Sequence, residues 1–152
     1  MSVSASIDII LSEYGKDNQY AIEIIKVLME FGWVLSHDGY VGYLPLGDKD
    51  DFDWQEKEIS IERLTGILKS KQDAGEIVGI TMSWKDTEIG GDFLFWPKDN
   101  LHTFSMNMDG NRRIIKLDSD YEVTDFQWYL PKLLLPLNKV WTVEYFSFDQ
   151  HI

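Results

Sequence analysis

The sequence predicts an α+β fold, one domain over residues 1–152 with a mainly antiparallel sheet and two or three helices. Three observations carry this reading. Two segments in the first half place apolar residues at helical spacing. From residue 76 onward, short β-branched and aromatic runs alternate with Gly-, Pro- and Asn-containing breaks, the pattern of connected strands. The chain is 44% hydrophobic with 21 aromatic residues in 152, rich enough for one core and of the usual length for one domain.

The elements follow in order. "SASIDIILSE" alternates and predicts a strand, and "DNQYAIEIIKVLMEFG" predicts a helix with Ala21, Ile24, Ile25 and Leu28 on one face. Asp17 or Asn18 caps its start and Gly32 ends it. "WVLSHDGYVGYLP" reads as a hairpin turning at His37, Asp38 and Gly39. An acidic stretch, "GDKDDFDWQEKE", comes next. Then "SIERLTGILKSKQDAG" predicts a second helix, capped by Ser60, with Ile61, Leu64, Ile67 and Leu68 on its apolar face and Gly75 as its stop. The strands "EIVGITMSW", "GDFLFWP", "HTFSMNM" and "RRIIKL" are most simply joined as a meander. "TDFQWYLPKLLLPL" predicts a short or bent helix with Thr124 as its cap, because Pro131 removes a backbone donor. In "KVWTVEYFSF" two sets alternate and predict a final strand.

Charge narrows the functional classes. The formal net charge is -12; residues 1–62 hold 13 acids and four bases, residues 63–152 hold 13 acids and ten bases. A field concentrated in the first half repels nucleic-acid phosphates and anionic membranes and speeds encounter with basic partners. No cysteine is present, which excludes thiol nucleophiles and disulfides and fits a reducing compartment. The first residues lack the basic and long apolar regions of a signal peptide, and no apolar run reaches the ~20 residues of a membrane helix. The expected location is cytoplasmic.

Residues 47–58 pose the sharpest question, since six carboxylates there enclose Phe52 and Trp54. A calcium loop needs oxygen ligands at its first, third and fifth positions, glycine at the sixth and glutamate at the twelfth. Counting from Asp48, those last three places hold Phe52, Asp53 and Ile59, so the match fails. The stretch reads either as a solvated acidic loop with Trp54 tucked against the sheet or as a docking surface, in which aromatic rings bury and carboxylates steer a basic partner. A smaller cluster, Asp118, Asp120, Glu122 and Asp125 around Tyr121, reads as a turn leading into a helix whose dipole Asp125 complements. His37, His102 and His151 lie far apart without metal-ligand spacing. No nucleophile elbow, phosphate loop or dinucleotide fingerprint occurs. Neither a catalytic residue, a metal site nor a cofactor is indicated. The six tryptophans are assigned chiefly to the core rather than to a sugar platform.

By its size, its cysteine-poor α+β pattern with a helix near the start, and the segments "MSWKDTEIGGDFLFWP", "FSMNMDGNRRII" and "DFQWYLPKLL", the chain resembles, over roughly residues 77–135, the small acidic immunity proteins that bacteria pair with polymorphic or contact-dependent toxins. The resemblance implies a non-enzymatic cytoplasmic inhibitor that binds a cognate toxin domain and blocks its active site or substrate groove. Many such toxins attack nucleic acids and carry basic grooves. On that expectation Asp48, Asp50, Asp51, Asp53, Glu56 and Glu58 supply the field and Trp54 is the anchor. The competing readings are a small-ligand module or hydrolase with a carboxylate-lined pocket, and an adaptor that uses an apolar patch.

Overall fold

Alternation in the first strand divides the molecule into two faces. In β1 (Ser4–Leu11), Ala5, Ile7, Ile9 and Leu11 are buried and their neighbours are more exposed, the period-two pattern of a strand with a core on one side. The computed structural model describes residues 3–12, 20–37, 39–97, 103–108, 111–118 and 122–151. After β1 come α1 (Tyr20–Phe31), β2 (Trp33–Val34), β3 (Ser36–His37), β4 (Tyr40–Tyr43), β5 (Gln55–Glu58), α2 (Ile61–Asp73), β6 (Val78–Trp84) and β7 (Gly90–Phe95). They are followed by β8 (Phe104–Met108), β9 (Ile114–Lys116), β10 (Glu122–Thr124), α3 (Phe126–Asn138) and β11 (Val143–His151).

The main sheet runs β11-β1-β8-β7-β6-β4-β3, with β2 added to β6 and β5 to β4. Every one of these pairings is antiparallel. The α+β class and the mainly antiparallel sheet therefore hold, in one compact domain. Ile24, Ile25 and Leu28 of α1, Leu64 and Leu68 of α2, and Tyr129, Leu133 and Leu137 of α3 share one buried cluster with Ile7, Ile80, Phe93, Phe104 and Met106. All three helices thus cover the same face of the sheet, and each fully buried apolar side chain contributes roughly 1.5–3 kcal/mol.

Several expectations need correction. Only β6, β7 and β8 form the meander. The chain then leaves the sheet, and Ile114–Lys116 pairs with β10 in a separate two-stranded ladder. The last two places in the sheet go to β1 and β11, at opposite ends of the sequence, which no local signal predicts. In the expected hairpin only Ser36 and His37 pair with β4, opposite Val41 and Tyr40, whereas Trp33 and Val34 pair with β6. Asp38, the expected turn residue, lies outside the described residues, as do Asp17 and Asn18, the expected caps of α1. In α2, Ser60 caps as expected, accepting from the Arg63 amide at 3.2 Å. Ile61, however, is 64% exposed, and the buried face continues from Leu64 and Leu68 to Lys71.

α3 runs unbroken for 13 residues with Pro131 and Pro136 inside it, and Asp125, not Thr124, precedes it. Each proline deprives the carbonyl four residues earlier of its donor. For Pro136 that carbonyl belongs to Lys132, and the Trp33 indole Nε1 donates to it at 3.0 Å. For Pro131 it belongs to Gln127, an exposed residue of the first turn that solvent reaches. A tertiary hydrogen bond therefore completes a helix that sequence reasoning shortens.

Candidate functional site

The acidic stretch is an ordered structure built around its first carboxylate. Asp48 is buried. Its Oδ1 accepts from the amides of Asp51 and Phe52 at 2.9 and 3.2 Å, and its Oδ2 accepts from the amide of Asp53 at 2.7 Å. Burial raises the Asp48 pKa, but the three amide donors and the nearby Lys71 charge outweigh it and hold the carboxyl below its ordinary value. The loop is fastened to the fold by Lys71 of α2, whose fully buried amine donates to the Pro45 and Asp48 carbonyls at 2.8 and 2.7 Å and to Glu76 Oε1 at 3.0 Å. The same Glu76 oxygen accepts from the Gly47 amide at 2.9 Å. Sequence reasoning missed Lys71. The available signal was its spacing, four and three residues along the helix from Leu64 to Leu68 to Lys71, which places it on the buried face.

The remaining candidate residues separate into two groups. Asp50, Asp51, Asp53, Glu56 and Glu58 are exposed, so their charge faces water. Trp54 is half-buried against a small second cluster of Leu44, Ile77, Leu94 and Trp96. Gly79 makes room for it, since a Cβ there would lie 2.6 Å from Leu44 Cγ and 2.9 Å from the Trp54 ring. Asp48 differs from the other five acids because its oxygens serve the loop. Phe52 occupies the left-handed region at φ 53° and is 41% exposed. That conformation is costly for a bulky residue, and the Asp48 carboxylate holds it there.

Glu56 and Glu58 are not loop residues, as the sequence suggested, but lie in β5, opposite Gly42 and Tyr40. They belong to the sheet face that carries no helix. Across that face Ser6, Asn107, Asp92 and Thr81 align in register on β1, β8, β7 and β6. The Thr81 hydroxyl donates to Asp92 Oδ1 at 2.8 Å, and Ser105 donates to Asp8 while accepting from the Trp96 indole at 3.3 Å. Between this floor and β5 lies a cleft of about 560 Å³ lined by Tyr40, Gly42, Trp54, Glu56, Thr81 and Asp92 among others. A Cβ on Gly42 would sit 2.5 Å from Thr81 Oγ1, so glycine is required where β4 crosses the cleft floor. The strand residues of this face were legible as the polar half of "GITMSW" and "FSMNM", a signal the sequence reading used only for strand assignment.

On the helix-bearing side of the sheet, tryptophan faces are occupied by the protein's own cations. Lys132 Nζ lies 4.0 Å from the Trp128 ring centre and 5.3 Å from that of Trp84, and the Arg113 guanidinium lies 5.8 Å from Trp128. Burial, then the Arg113 charge, lowers the Lys132 pKa, with Asp125 opposing. Among the six tryptophans only Trp33 is fully buried. In the smaller acidic cluster Asp125 accepts from Arg113 Nε at 3.2 Å, while Asp120 and Tyr121 lie outside the described residues, as does His102. No group of three or more metal-ligating side chains occurs among the described residues, and no described helix is long and apolar enough to cross a membrane. No protein family, curated protein or solved structure matches the chain.

Proposed function

We propose that this protein is a cytoplasmic bacterial immunity protein that neutralises a basic toxin domain, a nuclease being the best fit, by docking it on the acidic edge formed by the β4–β5 loop and β5. The observation that carries the reading is the loop's construction. One carboxylate and one buried lysine hold the loop from which Asp50, Asp51 and Asp53 project, with Phe52 presented beside them in a strained conformation, and the β4–β5 ladder places Glu56 and Glu58 next to it. A merely solubilising charge run needs no such framework. A preorganised one reduces the ordering cost of binding, and strain held by surrounding structure is a mark of function.

The adjoining cleft supplies chemistry suited to a lysine or arginine of the partner. Tyr40 and Trp54 form aromatic walls and Glu56 and Asp92 provide carboxylates, a combination that favours a cation by ion pairing and by the ring quadrupole. Exposed charge raises the association rate and aromatic burial slows dissociation. The test is capture at low salt from lysate of the source cell, followed by assay of the captured domain. Support is a basic domain whose toxicity or nuclease activity stops on adding the wild-type protein and returns with the Asp50→Asn, Asp51→Asn, Asp53→Asn triple variant. Inhibition equal for the two proteins removes the acidic edge from the account.

A further inference from the structure

We infer that β11 is a self-association edge, along which two copies of this chain pair antiparallel to extend their sheets into one. β11 spans nine residues and pairs only with β1 among the described residues. Unpaired strand edges invite another strand, and proteins usually blunt them with brevity, charge or proline. Here Tyr145, Phe146 and Phe148 are 53%, 42% and 51% exposed, and the strand contains neither lysine nor proline. An apolar groove of about 480 Å³ runs alongside, between Leu134 and Leu135 of α3 and Val143 and Phe146 of the strand. It extends the available contact beyond one row of backbone groups.

The strand's own sequence identifies the occupant as a second copy. With a two-fold axis through Ser147, antiparallel pairing sets Phe146 opposite Phe148 of the second copy, and the symmetry repeats that pair. Phe146 and Phe148 lie opposite Ile9 and Ile7 of β1, so they share the helix-bearing face and meet side by side. Cross-strand aromatic pairs of this kind stabilise a sheet, and like charges directly opposite destabilise it. In this register Glu144 meets Gln150, whose side chain also bonds Glu122 and Thr124, and Asp149, which pairs with His151, meets Tyr145. A slip of one residue would set opposite faces against each other, and the neighbouring two-fold registers, centred on Phe146 or on Phe148, each form one aromatic pair where the Ser147-centred register forms two. Aromatic pairing therefore favours one self-complementary register, and no like charges stand opposite one another in it. The dense acidic edge sits at the other end of the sheet, away from the axis.

Two molecules of net charge -12 still repel, and salt screens that repulsion within about 8 Å at physiological strength. Self-association therefore strengthens as salt rises, the reverse of binding to a basic partner. Sedimentation of the wild-type protein over a range of concentrations and salt reads this directly, with a growing dimer fraction expected, and Phe146→Lys lowers the association constant by about tenfold or more. Because the chain has no cysteine, Ser147→Cys gives a second readout that does not depend on the phenylalanine. Residues directly opposite place their Cβ atoms about 4.5–5.5 Å apart, near the span of a disulfide. Ser147→Cys is thus expected to form a covalent dimer under mild oxidation much faster than Glu62→Cys, an exposed control on α2. A protein that stays monomeric at every salt and concentration, or a Ser147→Cys protein that links no faster than the control, overturns the inference.

Discussion

β5 closes one end of the sheet with four residues, Gln55, Glu56, Lys57 and Glu58, the last three charged and exposed, whereas β11 closes the other with nine residues that leave three aromatic rings in solvent. Both edges have a helix behind them. α2 sends Lys71 into the β4–β5 loop, while α3 lies against β11 and stacks Phe126 on Phe148 at 4.5 Å between ring centres. The difference teaches how one sheet keeps two surfaces distinct. Charge and brevity make the first edge resistant to strand pairing and attractive to a basic surface. Length and apolar side chains leave the second open to another strand.

Breaking the first edge at its fastening has the largest expected effect. Lys71→Met leaves the Glu76 carboxylate and two carbonyls buried without their cation. Equilibrium urea unfolding is expected to show a loss of about 3–5 kcal/mol, the usual cost of removing one partner of a buried pair. Loosening α3, the helix behind the second edge, costs less. Trp33→Phe removes the indole donor to the Lys132 carbonyl and lowers stability by about 1–3 kcal/mol. Pro136→Ala restores a backbone donor to the same carbonyl, so in that background the Trp33→Phe loss shrinks.

Acid separates the two edges without mutation. The Asp48 pKa in the fold lies below its ordinary value of 3.8, so its stabilisation is fully present above pH 3.8 and fades as pH falls through the lower folded value. Hydrogen exchange followed by NMR is expected to show the amides of Asp51, Phe52 and Asp53 losing protection in that range before those that link β11 to β1. The smallest effect falls on Phe52. Replacing it with glycine relieves a left-handed residue but frees the unfolded chain, so stability changes by less than about 1 kcal/mol. Dissociation of the captured partner is nevertheless expected to quicken, which surface plasmon resonance detects.

How much of this was legible depends on whether the deciding contacts are local. The two amphipathic helices, the Ser60 cap and the β6–β8 strands follow from periodicity and turn residues within short windows. β5 was not legible as a strand, because "QEKE" has no apolar alternation and is held in place only by its ladder with β4. The pairing of β1 with β11 joins residues more than 130 positions apart. The acidic stretch was visible at once as a candidate, but the division of labour within it was not. Asp48 is chemically identical to Asp50 or Asp51 in sequence, and only its three amide donors distinguish a scaffold residue from those left facing water.

The most direct test of the acidic edge is the association rate of the captured basic domain as a function of ionic strength, for wild type and for the Asp50→Asn, Asp51→Asn, Asp53→Asn variant. The wild-type rate is expected to fall steeply with salt, the variant to associate more slowly with a shallower slope, and both to dissociate at similar rates. Equal rates and equal slopes would contradict this expectation, and would place the partner's footprint elsewhere on the molecule.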